Sequence, residues 1–127
     1  MATSVLCIVE SAYRATVEEH DDTVLWLTHM LRTSGLDVSV LLRANAVSYA
    51  VATSEAPDLR IGELAVRPPR LDHDLGALAE AGASIYVVGD DVQDRGIARG
   101  RLIPAVETVA RGDVPELLGH FDRVLHW

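Results

Sequence analysis

The sequence predicts an α/β fold with a flavodoxin-like, doubly wound and mainly parallel sheet of five strands, and with helices on both faces. Short apolar segments rich in β-branched residues alternate with segments of helical period, which is the order of elements in a parallel α/β sheet. The apolar segments are also nearly continuous, as strands are when helices cover both of their faces. Residues 1–127 have the size of one domain and are predicted to form a single core.

The first two predicted strands flank the longest predicted helix. Ser4–Glu10 (SVLCIVE) is a β-rich apolar segment, typical of a buried strand. After a polar loop, a helix is predicted to begin near Thr16, which has the capping-box spacing with Glu19. The helix is expected to end at Gly35, because glycine is favoured just after a helix. Asp37–Leu42 (DVSVLL) is the second strand.

The second half of the chain supplies the other strands and several short helices. RANAVSYAVA predicts a short helix, whereas the segment from about Thr53 to Arg70 has no clear period and is expected to be irregular. The remaining segments, in chain order, are a helix (LDHDLGALAEAG), the third strand (ASIYVVG), a short helix (DDVQDRG), a strand or turn (Ile103–Val109), a helix with Pro115 near its start (DVPELLGH) and a terminal strand (DRVLHW).

The composition excludes several classes of function. The net charge is −8, so neither nucleic acid nor an anionic membrane surface is an expected partner, since both require clustered Lys and Arg. All eleven basic residues are arginine, which excludes Schiff-base chemistry and a lysine-based phosphate loop. Cys7 is the single cysteine, so an internal disulfide and a multi-cysteine metal site are also excluded.

The first fifteen residues contain no basic leader followed by a long apolar segment. No segment approaches the roughly 20 apolar residues that a membrane-spanning helix needs. We therefore expect a cytoplasmic protein.

Polar side chains follow the ends of the predicted strands. In an open parallel sheet, ligands bind beyond the carboxyl ends of the strands, so we expect these side chains to converge and to form a ligand-binding site. Glu10 and His126 also follow strand ends. The candidate ligand-binding residues are Tyr13, Arg14, Arg43, Asn45, Tyr49, Gly89, Asp90, Asp91 and Trp127.

Each candidate also has a purely structural interpretation. Asp90 and Asp91 are good cap and first-turn residues for a helix. The two arginines could pair with neighbouring acids, the two tyrosines could be packing residues, and Trp127 could cover an interface. Cys7, inside an apolar strand, is expected to be an inert core thiol.

No metal and no cofactor are expected. EEHDD (Glu18–Asp22) and LDHDL (Leu71–Leu75) are dense in ligand atoms but match no metal-binding spacing, so solvated helix faces are the better interpretation. The loop after the first strand lacks the Ser/Thr-rich turn that would bind the phosphate of a flavin. No nucleotide-binding glycine motif occurs either.

Four segments carry a family resemblance: VVGDDVQDRGI with Arg95-Gly96, FDRVLHW with Asp122-Arg123-Val124 and Trp127, the loop around Tyr13, and LLRANAVSYA. Together they resemble the DsrE/DsrF/DsrH-like family, which includes the sulfur-relay subunits of the Tus type. The resemblance covers nearly the whole chain. It implies a small flavodoxin-like domain that assembles into homo-oligomers, or into hetero-oligomers with DsrE-like paralogues.

In catalytic members of that family, the turn after the third strand supplies a cysteine that carries sulfur as a persulfide. Counted back from Arg95-Gly96, that position falls on Val88. The two aspartates just downstream would disfavour a thiolate there through like-charge repulsion. The leading hypothesis is therefore a non-catalytic DsrE-like subunit that acts as a binding or scaffold module in an oligomer.

Two alternatives stay open. The first is a protein or enzyme that binds a small anionic ligand through Arg14 and Arg43, since guanidinium groups recognise carboxylate and phosphate. In that case Asp90 or Asp91 could act as a base if burial raised its pKa. The second is a sulfur carrier that uses Cys7.

Overall fold

The computed structural model describes residues 3–11, 23–52, 59–66 and 70–126. Its strands are β1 (Ser4–Val9), β2 (Asp37–Leu42), β3 (Leu59–Ile61), β4 (Leu64–Val66), β5 (Ile85–Val88), β6 (Val106–Val109) and β7 (Arg123–His126). Its α-helices are α1 (Thr23–Thr33), α2 (Leu71–Glu80), α3 (Gly89–Asp94) and α4 (Val114–Leu118). Short 3-10 helices occur at Ala44–Ala50, Arg99–Arg101 and Arg111–Asp113.

Five strands form one sheet in the order β6-β5-β2-β1-β7, and every neighbouring pair in it is parallel. From β1 the chain adds β2, β5 and β6 towards one edge, and β7 then returns to the other side of β1. The direction of strand addition therefore reverses between β1 and β7. The predicted fold class, a flavodoxin-like α/β sheet surrounded by helices, is confirmed.

Helices cover both faces of the central part of the sheet, which explains why β1, β2 and β5 are apolar at most positions. Alternate residues of β1 point to opposite faces. On one face, Val9 packs in a cluster with side chains of α1, α2 and the 3-10 helix at Ala44–Ala50. On the other face, Leu6 and Ile8 pack with Val114 of α4. Each buried aliphatic side chain contributes about 1.5–3 kcal/mol to folding.

The end of α1 lies where the sequence predicts it. Gly35 has φ +95°, a backbone conformation that glycine adopts without a steric penalty. The N–H of Leu36 donates to the carbonyl of Leu31 at 3.3 Å, which is the Schellman pattern of a helix C-terminus. The predicted start at Thr16, with Glu19, lies outside the described residues.

The expectation that the segment from Thr53 to Arg70 is irregular is wrong in part. Within it, β3 and β4 pair antiparallel as a hairpin, and Gly62 has φ +64° in the two-residue turn. Strands of three residues are too short to display a period of two, so the sequence pattern does not reveal them. Ile103–Val109, predicted as a strand or turn, contains β6 in its second half.

Asp122, from the DRV motif at the end of the chain, joins β7 to β1. Its Oδ2 accepts hydrogen bonds from Ser4 N–H at 3.0 Å and from the Ser4 hydroxyl at 3.2 Å. In return, Ser4 Oγ accepts the N–H of Asp122 at 3.1 Å. These bonds fix the start of both strands, so this part of the motif has a structural role at the amino edge of the sheet. Within the part of the chain described, no helix is long and apolar enough to cross a membrane.

Candidate functional site

The carboxyl edge of the sheet brings together polar side chains from three neighbouring strand ends. They come from the segment after β2, from α3 directly after β5, and from the segment after β6. The sequence predicts this convergence for Asn45, Asp90 and Asp91. The structure joins these three side chains, through Arg95 and Arg111, into one hydrogen-bonded network, which we call the carboxyl-edge network.

Asp91 is the centre of the carboxyl-edge network. Its Oδ2 accepts the backbone N–H of Ala44 at 2.8 Å, and its Oδ1 accepts Arg111 Nη2 at 2.6 Å. Arg95 Nη1 lies 3.9 Å from the same Oδ1. The carboxylate is only 14% exposed. One side chain thus ties together the ends of β2, β5 and β6.

The backbone after β2 is shaped for this contact. Ala44 has φ +52°, a left-handed conformation that disfavours a residue with a Cβ by about 1–2 kcal/mol. The turn directs the Ala44 N–H at the Asp91 carboxylate. A charge-assisted hydrogen bond of this kind is stronger than one between neutral groups, so it offsets the strain.

The environment of Asp91 stabilises its ionised form. Burial alone would raise the pKa of Asp91, but the hydrogen bond from Ala44 and the hydrogen bond and charge of Arg111 outweigh burial. The charge of Arg95 acts in the same direction. The pKa of Asp91 is therefore lowered from its ordinary value, so this carboxylate is an anion at neutral pH and a poor general base.

Asp90 and Asp91 do not cap α3, which corrects one structural interpretation of the pair. Both lie in the first turn of the helix, and Val88 is the N-cap residue, with no side-chain capping bond. Acidic residues in a first turn suit the helix dipole. Asp90 Oδ1 accepts the backbone N–H of Arg111 at 2.9 Å. The pair therefore holds the segments after β2 and β6 against the start of α3.

Asn45 and Arg95 connect the 3-10 helix after β2 to α3. Asn45 Oδ1 accepts both Arg95 Nε, at 3.1 Å, and Arg95 Nη2, at 2.9 Å. Arg95 Nη1 also donates to the carbonyl of Asp91 at 3.2 Å. The Arg95-Gly96 motif thus has a structural function here: its guanidinium locks two elements together.

A second cluster lies at the carboxyl ends of β1 and β7, where the direction of strand addition reverses. Glu10 Oε1 is 2.9 Å from Arg43 Nε and 3.0 Å from His126 Nε2. Arg43 is thus paired with an acid, as its structural interpretation proposes. All three side chains are partly exposed, so the cluster is a surface group of polar side chains at the switch point of the sheet, built around the Arg43–Glu10 ion pair.

Of the remaining candidate residues, two lie within the described part of the chain and three lie outside it. Tyr49 is only 2% exposed and belongs to the hydrophobic core, which favours its packing role over a position at the edge. Gly89 opens α3 and borders a surface hollow. The other candidates, which lie outside the described residues, are Tyr13, Arg14 and Trp127.

No accessible thiol lies at this edge. Val88, the position that the resemblance aligns with the cysteine of catalytic DsrE-like proteins, is 2% exposed. Cys7 is fully buried in β1. Burial raises the pKa of the Cys7 thiol, and a hydrogen bond with the Thr28 side chain lowers it only in part. The chemistry of the edge is therefore that of paired carboxylates and guanidinium groups.

Arg111 is a member of the site that was not predicted from the sequence. Arg111 follows the end of β6 after one residue, so the rule that selected the residues after β2 and β5 could have found it. Among the described residues, no group of three or more His, Cys, Asp or Glu side chains is placed to hold a metal ion.

No protein-family model matches the chain, and no curated protein matches it by sequence. Solved structures do share its fold. The ychN protein from E. coli is 20% identical, with a TM-score of 0.74 over 98% of this chain and 99% of that chain. BT1422 from Bacteroides thetaiotaomicron, a conserved protein of unknown function, is 11% identical, with a TM-score of 0.67 over 98% and 94%.

MTH1491 from Methanobacterium thermoautotrophicum, a protein of unknown function, is 15% identical and aligns over 100% of both chains with a TM-score of 0.61. At these identities the likeness shows the fold alone. It agrees with the α/β fold, with its five-stranded parallel sheet, that the sequence predicts.

Proposed function

We propose that the protein is a non-catalytic DsrE-like subunit, a binding or scaffold module that works in an oligomer and in association with sulfur relay. The observation that carries this proposal is the burial of Cys7, the single thiol of the chain, which is 0% exposed in a central strand. A persulfide carrier needs an exposed, ionised thiolate. Cys7 meets neither requirement, because burial also raises its pKa.

The carboxyl-edge network supports the same conclusion. In a sulfur carrier, the turn after β5 would present a thiolate to the sulfur donor. Here that turn carries two carboxylates instead. Asp91 is engaged by Ala44 and Arg111, so its carboxylate has a structural role. A second anion beside it would be disfavoured by like-charge repulsion.

The edge strand β7 supports assembly. All four of its side chains are exposed, and Val124 and Leu125 are 41% and 39% exposed. The register places Val124 beside Leu6 and Leu125 beside Cys7, so the two apolar side chains lie on opposite faces of the sheet. Proteins normally cover or charge an apolar edge strand. Another copy of the chain, or a DsrE-like paralogue, would cover this one.

The alternatives receive less support. Arg43 is paired with Glu10 at 2.9 Å, so an anion would have to compete with a carboxylate that is already present. Asp90 accepts a backbone N–H, and no described group orients it as a base. If the protein carried sulfur on Cys7, β1 would have to separate from the sheet to expose this buried thiol.

The proposal is tested by exposing the native protein to a sulfane-sulfur donor, such as polysulfide, and measuring its intact mass. We expect no added sulfur, with Cys7→Ser as the background control. A native protein that gains one sulfur atom on Cys7 would contradict the non-catalytic assignment. Native mass spectrometry of the same sample tests the assembly: an oligomer is expected, and a strict monomer that retains no paralogue would contradict it.

A further inference from the structure

Two adjoining surface hollows lie beside α3. The smaller one, about 200 Å³, is bordered by α3, by the end of β6 and by the 3-10 helix at Arg99–Arg101, and its lining is polar. The larger one, about 290 Å³, continues along α3 and is lined on one side by Val92, Ile97 and Ala98. Arg99 and Gln93 border both hollows. Together they form a space for a small molecule at the carboxyl ends of β5 and β6, where parallel sheets bind ligands.

Gly89 forms the floor that both hollows share. A Cβ at this position would lie 2.6 Å from the methyl group of Thr108 and 3.5 Å from Nη2 of Arg99. The guanidinium group of Arg99 therefore lies close above the backbone of α3. The absence of a side chain at Gly89 leaves room for the methyl group of Thr108, whereas Arg99 Nη2 would be at ordinary contact distance from a Cβ there.

The smaller hollow has two charged side chains, Arg99 and Asp90, and neither forms a salt bridge with any residue that the structure describes. Asp90 uses Oδ1 for the N–H of Arg111, which leaves Oδ2 to accept another donor. The hollow thus presents one cation and one anion that do not pair with each other.

We propose that the two hollows bind an α-amino acid with an aliphatic side chain. Arg99 receives the carboxylate, because a guanidinium group can donate two parallel hydrogen bonds to it. Asp90 Oδ2 accepts a hydrogen bond from the ammonium group. The aliphatic side chain lies in the larger hollow against Val92 and Ile97, where removal from water contributes affinity.

The overall charge of the protein also favours a zwitterion over a simple anion. At −8, the protein repels anions at long range, whereas a ligand with no net charge is not repelled. This inference concerns a site apart from Cys7 and from β7, so it stands independently of the scaffold role.

The proposal is tested by isothermal titration of the full chain with L-leucine, L-isoleucine, L-valine and L-methionine. Two further probes remove one charge each: 4-methylpentanoate lacks the ammonium group of leucine, and 3-methylbutylamine lacks its carboxylate. We expect at least one amino acid to bind, and both single-charge probes to bind about tenfold more weakly or worse, because each leaves one charged group without its partner. Failure of all four amino acids to bind, or equal binding of a single-charge probe, would overturn the proposal.

Variants then locate the site. Arg99→Gln and Asp90→Asn should each weaken amino-acid binding by about tenfold or more. The matched controls Arg101→Gln and Asp113→Asn change residues that line neither hollow and should leave binding unchanged. Arg99 is exposed, so its variant should fold even if Asp90→Asn does not. If the Arg99→Gln and Arg101→Gln variants bind the amino acid with equal affinity, the amino acid binds elsewhere on the protein and the assignment is refuted.

Discussion

Replacing Asp91 by alanine should destabilise the protein more than any other single change in the carboxyl-edge network. The substitution leaves the Ala44 N–H, now 2.8 Å from its acceptor, without a partner in a turn that already has a left-handed residue. A hydrogen bond to a charged acceptor contributes about 1.5–3 kcal/mol. Arg111 is more than half exposed, so the loss of its ion pair adds little. We expect the free energy of unfolding to fall by about 2 kcal/mol.

The measurement is urea denaturation. The change in the free energy of unfolding is calculated from the shift in the urea concentration at half unfolding, with the dependence of free energy on urea (the m-value) held equal for all variants. Asp94→Ala is the matched control: Asp94 lies on the same helix and contacts the same Arg111 at 3.1 Å, but its side chain is 63% exposed. Its loss should change stability by less than about 0.5 kcal/mol. Asp91→Asn keeps an oxygen acceptor, so its loss of stability should lie between those of Asp91→Ala and Asp94→Ala. Equal effects of Asp91→Ala and Asp94→Ala would refute the central role of Asp91.

The other predictions concern pH, packing and assembly. The folded state lowers the pKa of Asp91. The ionised Asp91 carboxylate therefore stabilises the fold fully at a pH above its pKa in the unfolded chain, near 3.9. This stabilisation is lost as the pH falls through the lower pKa of the folded state. The difference in melting temperature between wild type and Asp91→Asn should therefore shrink from pH 7 to about pH 3; a constant difference would contradict this. Gly89→Ala should destabilise by about 1–3 kcal/mol, because the new Cβ meets the methyl group of Thr108. In the double variant, Thr108→Ser removes that methyl group, so we expect thermal denaturation to show part of the lost stability recovered. If the stability changes of the two single substitutions simply add, the clash is contradicted. Leu125→Asp should dissociate the oligomer that we propose, as measured by native mass spectrometry, while Leu36→Asp, a control at a residue of similar exposure, should not.

The centre of the main sheet could be predicted from the sequence because β1, β2 and β5 are mainly buried and therefore almost continuously apolar. Asp37–Leu42 has the predicted bounds at both ends, and Ser4–Val9 differs from its prediction by one residue. The hairpin of β3 and β4 could not be found, because three-residue strands carry too little pattern. Ile61 and Leu64 on this hairpin are 60% and 65% exposed, so no buried face marks it either.

The location of the carboxyl-edge network could be predicted from the sequence, but the contacts between its side chains could not. The rule that strand ends converge placed Asn45, Asp90 and Asp91 at one edge. The partners of Asp91 are 47 residues away, at Ala44, and 20 residues away, at Arg111, and no local pattern encodes such pairs. Helix propensity favoured a capping role for the two aspartates, whereas the positions of β2 and β6 determine which donors the carboxylates meet.

The accessibility of Cys7 tests the proposed function most directly. The protein is treated with a thiol-reactive maleimide, natively and in denaturant, and the labelled fraction is followed with time by intact mass. Because Cys7 is 0% exposed and its pKa is raised, we predict labelling in denaturant and almost none in the native state. Native labelling as fast as that of the unfolded chain would show a reactive thiol, and would contradict a non-catalytic subunit.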